Sequence, residues 1–301
     1  MIGKISVVMV FAAAAFCGSG IAAAEYRVAE TATGVQMLRG GKTLWNLEIE
    51  TPEGRPFFHP LRLPSGRTIT DLRPKDHVWH LGYWFSWKYI NGANYWETTH
   101  DKRVRRSVGQ TRVVRKSVDC DGLGCVVKLS LEYGPQGDSE PVLAEERIIT
   151  IDPPDAKGGY AISTRHLFRA LKDAVLDRTP PHGSTASGKW GGGYAGATLR
   201  LDPDVASAVT VRGHSGGKTP AAVTGTEKVS IDFVDPVAGE GFSFAQLAAP
   251  TTACFYVWRD LRMINPSALY AGPVTLKKGE TLELAYRLAV FALPTSAMRG
   301  K

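Results

Sequence analysis

The stretch LKKGETLELAYRLAVF (276–291) decides the fold class of this chain, because it joins a turn to a long alternating run. Lys278 and Gly279 form a turn sequence, and apolar side chains then recur at every second position from Leu282 to Val290. A period of two is typical of a β-strand with one buried face. The stretch therefore predicts a strand over 281–292.

Similar short alternating or apolar runs, separated by Gly, Pro, Asn and Asp, fill most of the chain. A composition with 32 Gly and 18 Pro excludes a mainly helical protein, and only 168–177 has the character of a short helix. The pattern predicts an all-β protein, a large two-sheet antiparallel β-sandwich with residues 25–301 as a single domain. The other predicted strands are 35–38, 43–51, 57–63, 104–117, 125–133, 142–151, 160–169, 194–201, 207–212, 227–233, 241–248 and 253–259.

The first residues have the pattern of a secretory signal peptide. Lys4 precedes an uncharged apolar run over 5–16, and three alanines at 22–24 form a small-residue cleavage site. We expect a signal peptide over 1–24, cut near Ala24, and a periplasmic or secreted protein. A run of about a dozen residues is too short to span a membrane, and no later segment is long enough.

Basic residues outnumber acidic ones, with a formal net charge of +7 that falls to +6 when Lys4 leaves with the signal peptide. The basic residues cluster at 102–116, KRVRRSVGQTRVVRK. Such a cluster is found in nucleic-acid-binding proteins, but also on a solvated strand with basic residues facing water. Export favours the strand, so we predict no nucleic-acid partner. The charge also permits an acidic polysaccharide ligand, and nothing in the sequence indicates an oligomeric state.

Three cysteines follow the signal peptide. Cys120 and Cys125 flank Asp-Gly-Leu-Gly, a strong turn sequence, which predicts a disulfide across a hairpin in an oxidising compartment. Cys254 lies in an apolar run and is predicted to be a buried thiol.

The stretch RPKDHVWHLGYWFSWKYINGANYWE (73–97) is the strongest candidate for a binding site. It contains four tryptophans and two histidines beside several amides and charged groups. Flat aromatic faces stack on the C–H faces of sugars, and polar side chains bind sugar hydroxyls. The alternative is an aromatic hairpin in the core. The predicted ligand is a carbohydrate, bound by Arg73, Trp84, Trp87, Asn91 and Trp96, with Tyr194, Arg259 and Asn265 from later segments.

His77 and His80 are the predicted acid/base residues, since a histidine titrates near neutral pH. Two histidines three residues apart are also a weak metal motif, because zinc requires at least three protein ligands. His59, His166 and Asp260 are the distant residues that could complete such a site. No cofactor is predicted, with a divalent metal on His77 and His80 as the alternative.

Asp260 and Glu97 are the candidate carboxylates for catalysis. Asp260 could orient a histidine or accept a proton, and a pair of carboxylates is the basis of glycoside hydrolysis. The alternative is that Arg259 and Asp260 pair with each other and brace a loop. A long loop over 178–193, which ends in three glycines before Tyr194, is expected to be functional or mobile.

Several motifs together resemble a bacterial family labelled "methane oxygenase PmoA". The matching segments are FFHPLRLPSG (57–66), DHVWHLGYWFSW (76–87), NGANYWE (91–97), GGYAGATLRL (192–201), WRDLRMINP (258–266) and LKKGETLELAYRLAVF (276–291). The label does not describe the chemistry here. The methane monooxygenase subunit of that name is an integral membrane protein, whereas this chain has no spanning segment after its signal peptide.

The last motif is also similar to the final strand of galactose-mutarotase-like β-sandwiches. That resemblance implies a carbohydrate bound on the concave sheet, in a fold that hosts epimerases, lyases and glycosidases. The sequence thus predicts an exported carbohydrate-active enzyme of hydrolase, lyase or epimerase type. The alternatives are a non-catalytic carbohydrate-binding protein and a metal-dependent oxidase or oxygenase.

Overall fold

A computed structural model describes residues 26–97, 108–138, 140–179, 193–212, 226–227, 229–249, 254–258 and 262–294, with backbone alone at 226, 227 and 258. This part of the chain contains 21 strands and one short helix, and its neighbouring strands pair antiparallel. The all-β, antiparallel fold class predicted from the sequence is confirmed.

The larger sheet has nine strands, and its central strands carry the candidate site. In the order in which they lie side by side, they are β1 (Tyr26–Glu30), β2 (Gly34–Arg39), β3 (Lys42–Glu48), β4 (Phe57–Leu61), β5 (Tyr83–Ser86), β13 (Gly196–Arg200), β19 (Met263–Ser267), β18 (Cys254–Trp258) and β15 (Thr226–Glu227).

The second sheet has eight strands, and a third, smaller sheet has four. The eight are, in order, β14 (Thr210–Val211), β16 (Ser230–Asp235), β17 (Glu240–Ala248), β21 (Thr281–Ala292), β11 (Tyr160–Ala170), β10 (Leu143–Ile151), β9 (Gly124–Pro135) and β8 (Gly109–Asp121). The four are β20 (Val274–Leu276), β12 (Ala174–Asp177), β6 (Tyr89–Ile90) and β7 (Ala93–Asn94).

The two large sheets pack face to face around one apolar core. Tyr83 of β5 packs edge-on against Phe244 of β17 with ring centroids 5.6 Å apart, and Phe85 lies 6.3 Å from Tyr286. On β21 the alternating residues from Leu282 to Val290 point into this core, as the period of two requires. β21 lies near the centre of its sheet, where it pairs with β17 on one side and with β11 on the other.

The structure differs from the sequence prediction in a few elements. Residues 168–177 form the end of β11 and all of β12, with no helix. The one short helix among the described residues, α1 (Pro203–Ala208), covers the start of the strand predicted at 207–212. Asp202 caps it by accepting a hydrogen bond from the Asp204 amide, and proline at the first helical position favours the helix.

The basic segment forms an edge strand. β8 lies at the end of its sheet, and most of its side chains are exposed or half-buried. Lys116 and Arg115 pair with Glu50 and Glu146, as is common where charge protects an open strand edge. A disulfide joins Cys120 to Cys125 across the β8–β9 hairpin. The predicted signal peptide lies outside the described residues, as do 102–107 of the basic cluster.

Candidate functional site

The candidate site lies on the outer face of the nine-stranded sheet, the face turned away from the core. Because side chains alternate along a strand, Tyr83 and Phe85 enter the core while Trp84 between them points outward. The same alternation brings Arg200 of β13 to the outer face. An apolar cluster covers this face, made of Phe57, Leu81, Trp84, Trp96, Tyr256 and Met263, with Leu72, Trp79 and Tyr194 packed against it.

A buried arginine holds an acidic residue and a histidine at the surface of this cluster. Arg200 is fully buried, and its Nη2 donates to both carboxylate oxygens of Asp76, at 2.7 and 2.9 Å. Asp76 Oδ2 lies 3.0 Å from Nδ1 of His77. The Asp76 side chain is 43% exposed and the His77 side chain 26%, so both are partly exposed to solvent.

The charges of this array favour a neutral histidine beside an ionised carboxylate. Partial burial acts to raise the pKa of Asp76, but the hydrogen bonds from His77 and Arg200 outweigh it and lower the pKa to about 2. Burial lowers the pKa of His77, against the opposing effect of Asp76. We assign the Nδ1 proton to the bond with Asp76, so Nε2 carries the lone pair of a general base.

His80 lies beneath His77 and is enclosed. It is 2% exposed, and its ring stacks on His77 at 4.7 Å and contacts Trp84 at 5.1 Å between centroids. Burial lowers its pKa to about 2, so the ring is neutral at physiological pH. Its Nδ1 has no hydrogen-bond partner among the described residues. Of the two predicted acid/base histidines, His77 is the one that the structure places where a ligand can reach it.

The aromatic side chains form a continuous layer beside the histidines. Trp84 lies 5.5 Å from Trp96, Trp96 lies 4.8 Å from Tyr194, and Tyr194 lies 5.4 Å from Tyr256, measured between ring centroids. Trp87 belongs to the other face of the sheet. It is fully buried in the core against Phe85 and Phe168.

Two predicted sugar-binding residues adopt left-handed backbone conformations. Arg73, with φ of 50°, forms an ion pair with Glu53 and lies over the ring of Phe57. Asn91, with φ of 49°, forms the β6–β7 turn with Gly92. Its side chain bonds the backbone of Asp173 and Val175, so Asn91 connects the β6–β7 turn to β12 of the small sheet.

Glu97 and Asn265 are engaged by their neighbours. Both oxygens of Glu97 contact the buried ammonium of Lys88, and Asn94 Nδ2 donates to Oε2 at 2.7 Å. Asn265 is fully buried, and its amide bonds the backbone of Ala195 and Ala197 and the hydroxyl of Thr198. Both residues therefore brace the aromatic layer.

Arg259 and Asp260 lie outside the described residues, as does most of the long loop at 178–193. Of the distant metal candidates, His166 lies in the core, and His59 lies on β4 at the outer face. Within the described ranges, no group of three or more His, Cys, Asp or Glu side chains is arranged to hold a metal ion. A metal on His77 and His80 stays a prediction.

Arg200 and Asp76 are the residues of the array that the sequence analysis did not assign to the site. Arg200 lies in GGYAGATLRL, where it is the one charged residue in an otherwise apolar run, and that isolation was the available signal. Its partner Asp76 is 124 positions away along the chain. Trp79, packed edge-on to His77 at 5.2 Å, was also not singled out as a ligand-binding residue.

The fold and the site define an all-β sandwich with an Asp-His pair on the outer face of its larger sheet. Residues 34–299 match the profile of a family described as a family of unknown function (DUF6807), and the chain belongs to that family. No curated protein matches it in sequence.

Solved structures of similar fold include the following two. One is galactose 1-epimerase from Lactobacillus acidophilus NCFM, with 10% identity, coverage of 90% of this chain and 100% of that one, and a TM-score of 0.40. The other is a galactose mutarotase-like protein from Lactobacillus casei ATCC 334, with 10% identity, coverage of 89% and 100%, and a TM-score of 0.26. These likenesses say nothing about what this chain binds. Among the described residues, no helix has the length and apolar character needed to cross a membrane.

Proposed function

We propose that this protein is an exported, carbohydrate-active enzyme in which His77 transfers a proton to or from a bound sugar. The observation that carries the proposal is the Arg200–Asp76–His77 array. It presents a neutral, oriented and partly exposed imidazole beside an aromatic layer. An orienting carboxylate stabilises the imidazolium that forms when the base takes a proton.

Epimerase or lyase chemistry fits this array better than glycoside hydrolysis. A hydrolase of the usual kind needs two carboxyl groups on either side of the scissile bond. Of the candidate carboxylates within the described residues, Glu97 is ion-paired with Lys88 and hydrogen-bonded by Asn94, and Asp76 is held by Arg200 and His77. A histidine base that removes a proton from a sugar hydroxyl or from a carbon next to a carbonyl needs no second carboxylate.

The aromatic layer supports a sugar as the ligand. Trp79 and Tyr194 are partly exposed parts of the cluster, so they can offer ring faces to a pyranose. Close enough to Arg200 and Asp76 to interact with their charges, Asp71 and Arg262 form a half-buried ion pair at 3.5 Å, which adds partners for hydroxyl groups. A non-catalytic sugar-binding protein would use the same layer but would not need a neutral base held by a carboxylate.

The test follows proton transfer directly. Freshly dissolved α-anomers of D-glucose, D-galactose and D-mannose, and the same sugars in D2O, are monitored by proton NMR for faster anomeric equilibration and for exchange at carbon. We expect the mature protein to accelerate one of these processes and His77→Gln to lose about 10²–10⁴-fold of that acceleration. Lys75→Ala, a change at the exposed residue before the pair, is the matched control. Binding without any proton transfer would identify a binding protein instead.

A further inference from the structure

A pocket adjoins the aromatic layer, and neither Asp76 nor His77 lines it. It has a volume of about 190 Å³ and lies between β3, β4 and the segment that carries Arg73. Phe57 and Leu72 line it and also belong to the apolar cluster, so the pocket and the candidate site share a wall. Pockets for larger ligands span roughly 300–1,000 Å³, so this one suits a single sugar ring.

Hydrogen bonds from neighbouring side chains fix a carboxylate in the polar lining of this pocket. Asn46 is 9% exposed, and its Nδ2 donates to Glu48 Oε1 at 2.8 Å and to the carbonyl of His59 at 3.2 Å. Thr33 donates its hydroxyl to the other oxygen of Glu48. These bonds fix an ionisable carboxylate at the wall of the pocket, with lone pairs that can accept from a ligand hydroxyl.

The hydroxyl of Thr70 determines the tautomer of His59. Thr70 is 1% exposed, and its Oγ1 already accepts the Leu61 amide at 3.1 Å. A buried hydroxyl proton needs an acceptor, and among the described residues the acceptor in reach is Nδ1 of His59 at 2.9 Å. Burial also lowers the pKa of His59, which keeps the ring neutral. His59 therefore carries its proton on Nε2, the opposite arrangement to His77.

The charges around the pocket select a neutral ligand. Glu48 and Glu50 are its two acidic residues; Glu50 pairs with Lys116, and the guanidinium of Arg73 pairs with Glu53. A sugar with a carboxylate would meet the like charge of Glu48, which disfavours its binding. An apolar floor of Phe57 and Leu72, with a fixed acceptor and a fixed donor, matches the C–H face and the hydroxyls of an uncharged pyranose.

We propose that this pocket is a subsite for one neutral sugar ring, in which Glu48 accepts from a sugar hydroxyl and the Nε2–H of His59 donates to a sugar oxygen. This inference rests on the proposed function, since it names the substrate class of the same face. The two histidines then have different roles. His77 uses the lone pair of Nε2 for proton transfer, and His59 uses its Nε2–H to donate a hydrogen bond to the sugar.

The experiment measures dissociation constants and turnover separately. The mature protein is titrated with D-glucose, D-galactose, D-mannose and D-galacturonate, and binding is followed by NMR. We expect a neutral sugar to bind more tightly than D-galacturonate, and Glu48→Gln and His59→Leu each to weaken it about 10- to 100-fold. His59→Gln, which keeps an N–H donor, should recover most of the loss. Glu283→Gln, at an ion-paired surface residue of the other sheet, is the matched control.

The outcomes distinguish the subsite from the proposed function. If Glu48→Gln and His59→Leu are folded and bind the neutral sugar as tightly as the unchanged protein, the subsite is overturned even if His77→Gln abolishes turnover. If both variants lose binding but the unchanged protein transfers no proton, the subsite stands and the enzymatic proposal fails. Tighter binding of D-galacturonate, or no binding of any of the four sugars, overturns the subsite as stated.

Discussion

Two clusters within the described residues combine an acidic residue, a histidine and an arginine, and they differ in what surrounds them. On the outer face, Asp76 and His77 are partly exposed and only Arg200 is buried. In the core, Glu145, His166 and Arg147 are all buried, and Glu145 accepts from Arg147 at 2.6 Å and lies 2.8 Å from Nδ1 of His166. The same side-chain chemistry thus occurs once at the surface and once between the sheets.

This difference in burial indicates which of the two clusters can act on a ligand. In the core, the second nitrogen of His166 bonds Thr164 at 2.9 Å, and Tyr133 donates its hydroxyl to Glu145. A cavity of about 20 Å³ beside Arg147 and Thr164 has room for no more than about one water. A network closed in this way stabilises one arrangement of the sheets, while the side chains of the outer pair are partly exposed to solvent.

The largest expected effect on stability comes from breaking the core network. Glu145→Gln leaves the charge of Arg147 buried without its counter-ion, so we expect the free energy of unfolding to fall by about 3–5 kcal/mol. Urea denaturation of the mature protein measures this. Glu283→Gln, whose ion pair with Arg165 is at the surface, should cause no measurable loss. An equal and small effect of both changes would remove the structural role assigned to the core cluster.

A smaller effect, on turnover alone, is expected from Asp76→Asn. The neutral amide no longer stabilises the imidazolium, so the rate should fall about 10- to 100-fold. Because Asp76 acts to raise the pKa of His77, its loss should also move the acid limb of the pH–rate profile to lower pH. A profile that keeps its position, with a reduced rate, would mean that Asp76 does not act through His77.

The smallest effect concerns pH and the buried ring of His80. Its pKa is lowered from 6.5 to about 2 in the folded protein, so the unfolded chain binds the proton first as pH falls. The contribution of neutral His80 to the free energy of unfolding is therefore fully present above pH 6.5. On acidification below pH 6.5 it is lost, at up to about 1.4 kcal/mol per pH unit. His80→Phe should make unfolding free energies between pH 6 and pH 4.5 less dependent on pH. An unchanged slope would show that His80 is protonated in the folded protein.

The positions of the strands were largely predictable from the sequence. Which face of the sheet each tryptophan of the aromatic segment occupies was not. The alternation from Leu282 to Val290 identifies β21 because its polar and apolar positions differ. Trp84 and Trp87 look alike in the sequence, yet one lies on the outer face and the other in the core. The side that each tryptophan takes depends on where β5 begins and ends, and every residue of β5 is buried, so no alternation in polarity marks it.

The residues of the site were predictable only in part, because those that contact one another are far apart along the chain. His77 was recognisable as a titratable residue in an aromatic segment. Its support comes from Arg200, on a strand that is next to β5 in the sheet but far away in sequence. The Glu48, His59 and Thr70 contacts arise in the same way, because β3 and β4 pair and residue 70 folds back beside them.

The most direct test of the account compares His77→Gln with His166→Gln in the same two assays, sugar proton transfer per folded molecule and urea denaturation. We predict that His77→Gln loses about 10²–10⁴-fold in rate and keeps its stability. We predict that His166→Gln loses stability and keeps its rate, because it leaves buried Glu145 with one hydrogen bond fewer. The reverse result, with turnover dependent on His166 and not on His77, would contradict the assignment of chemistry to the outer face.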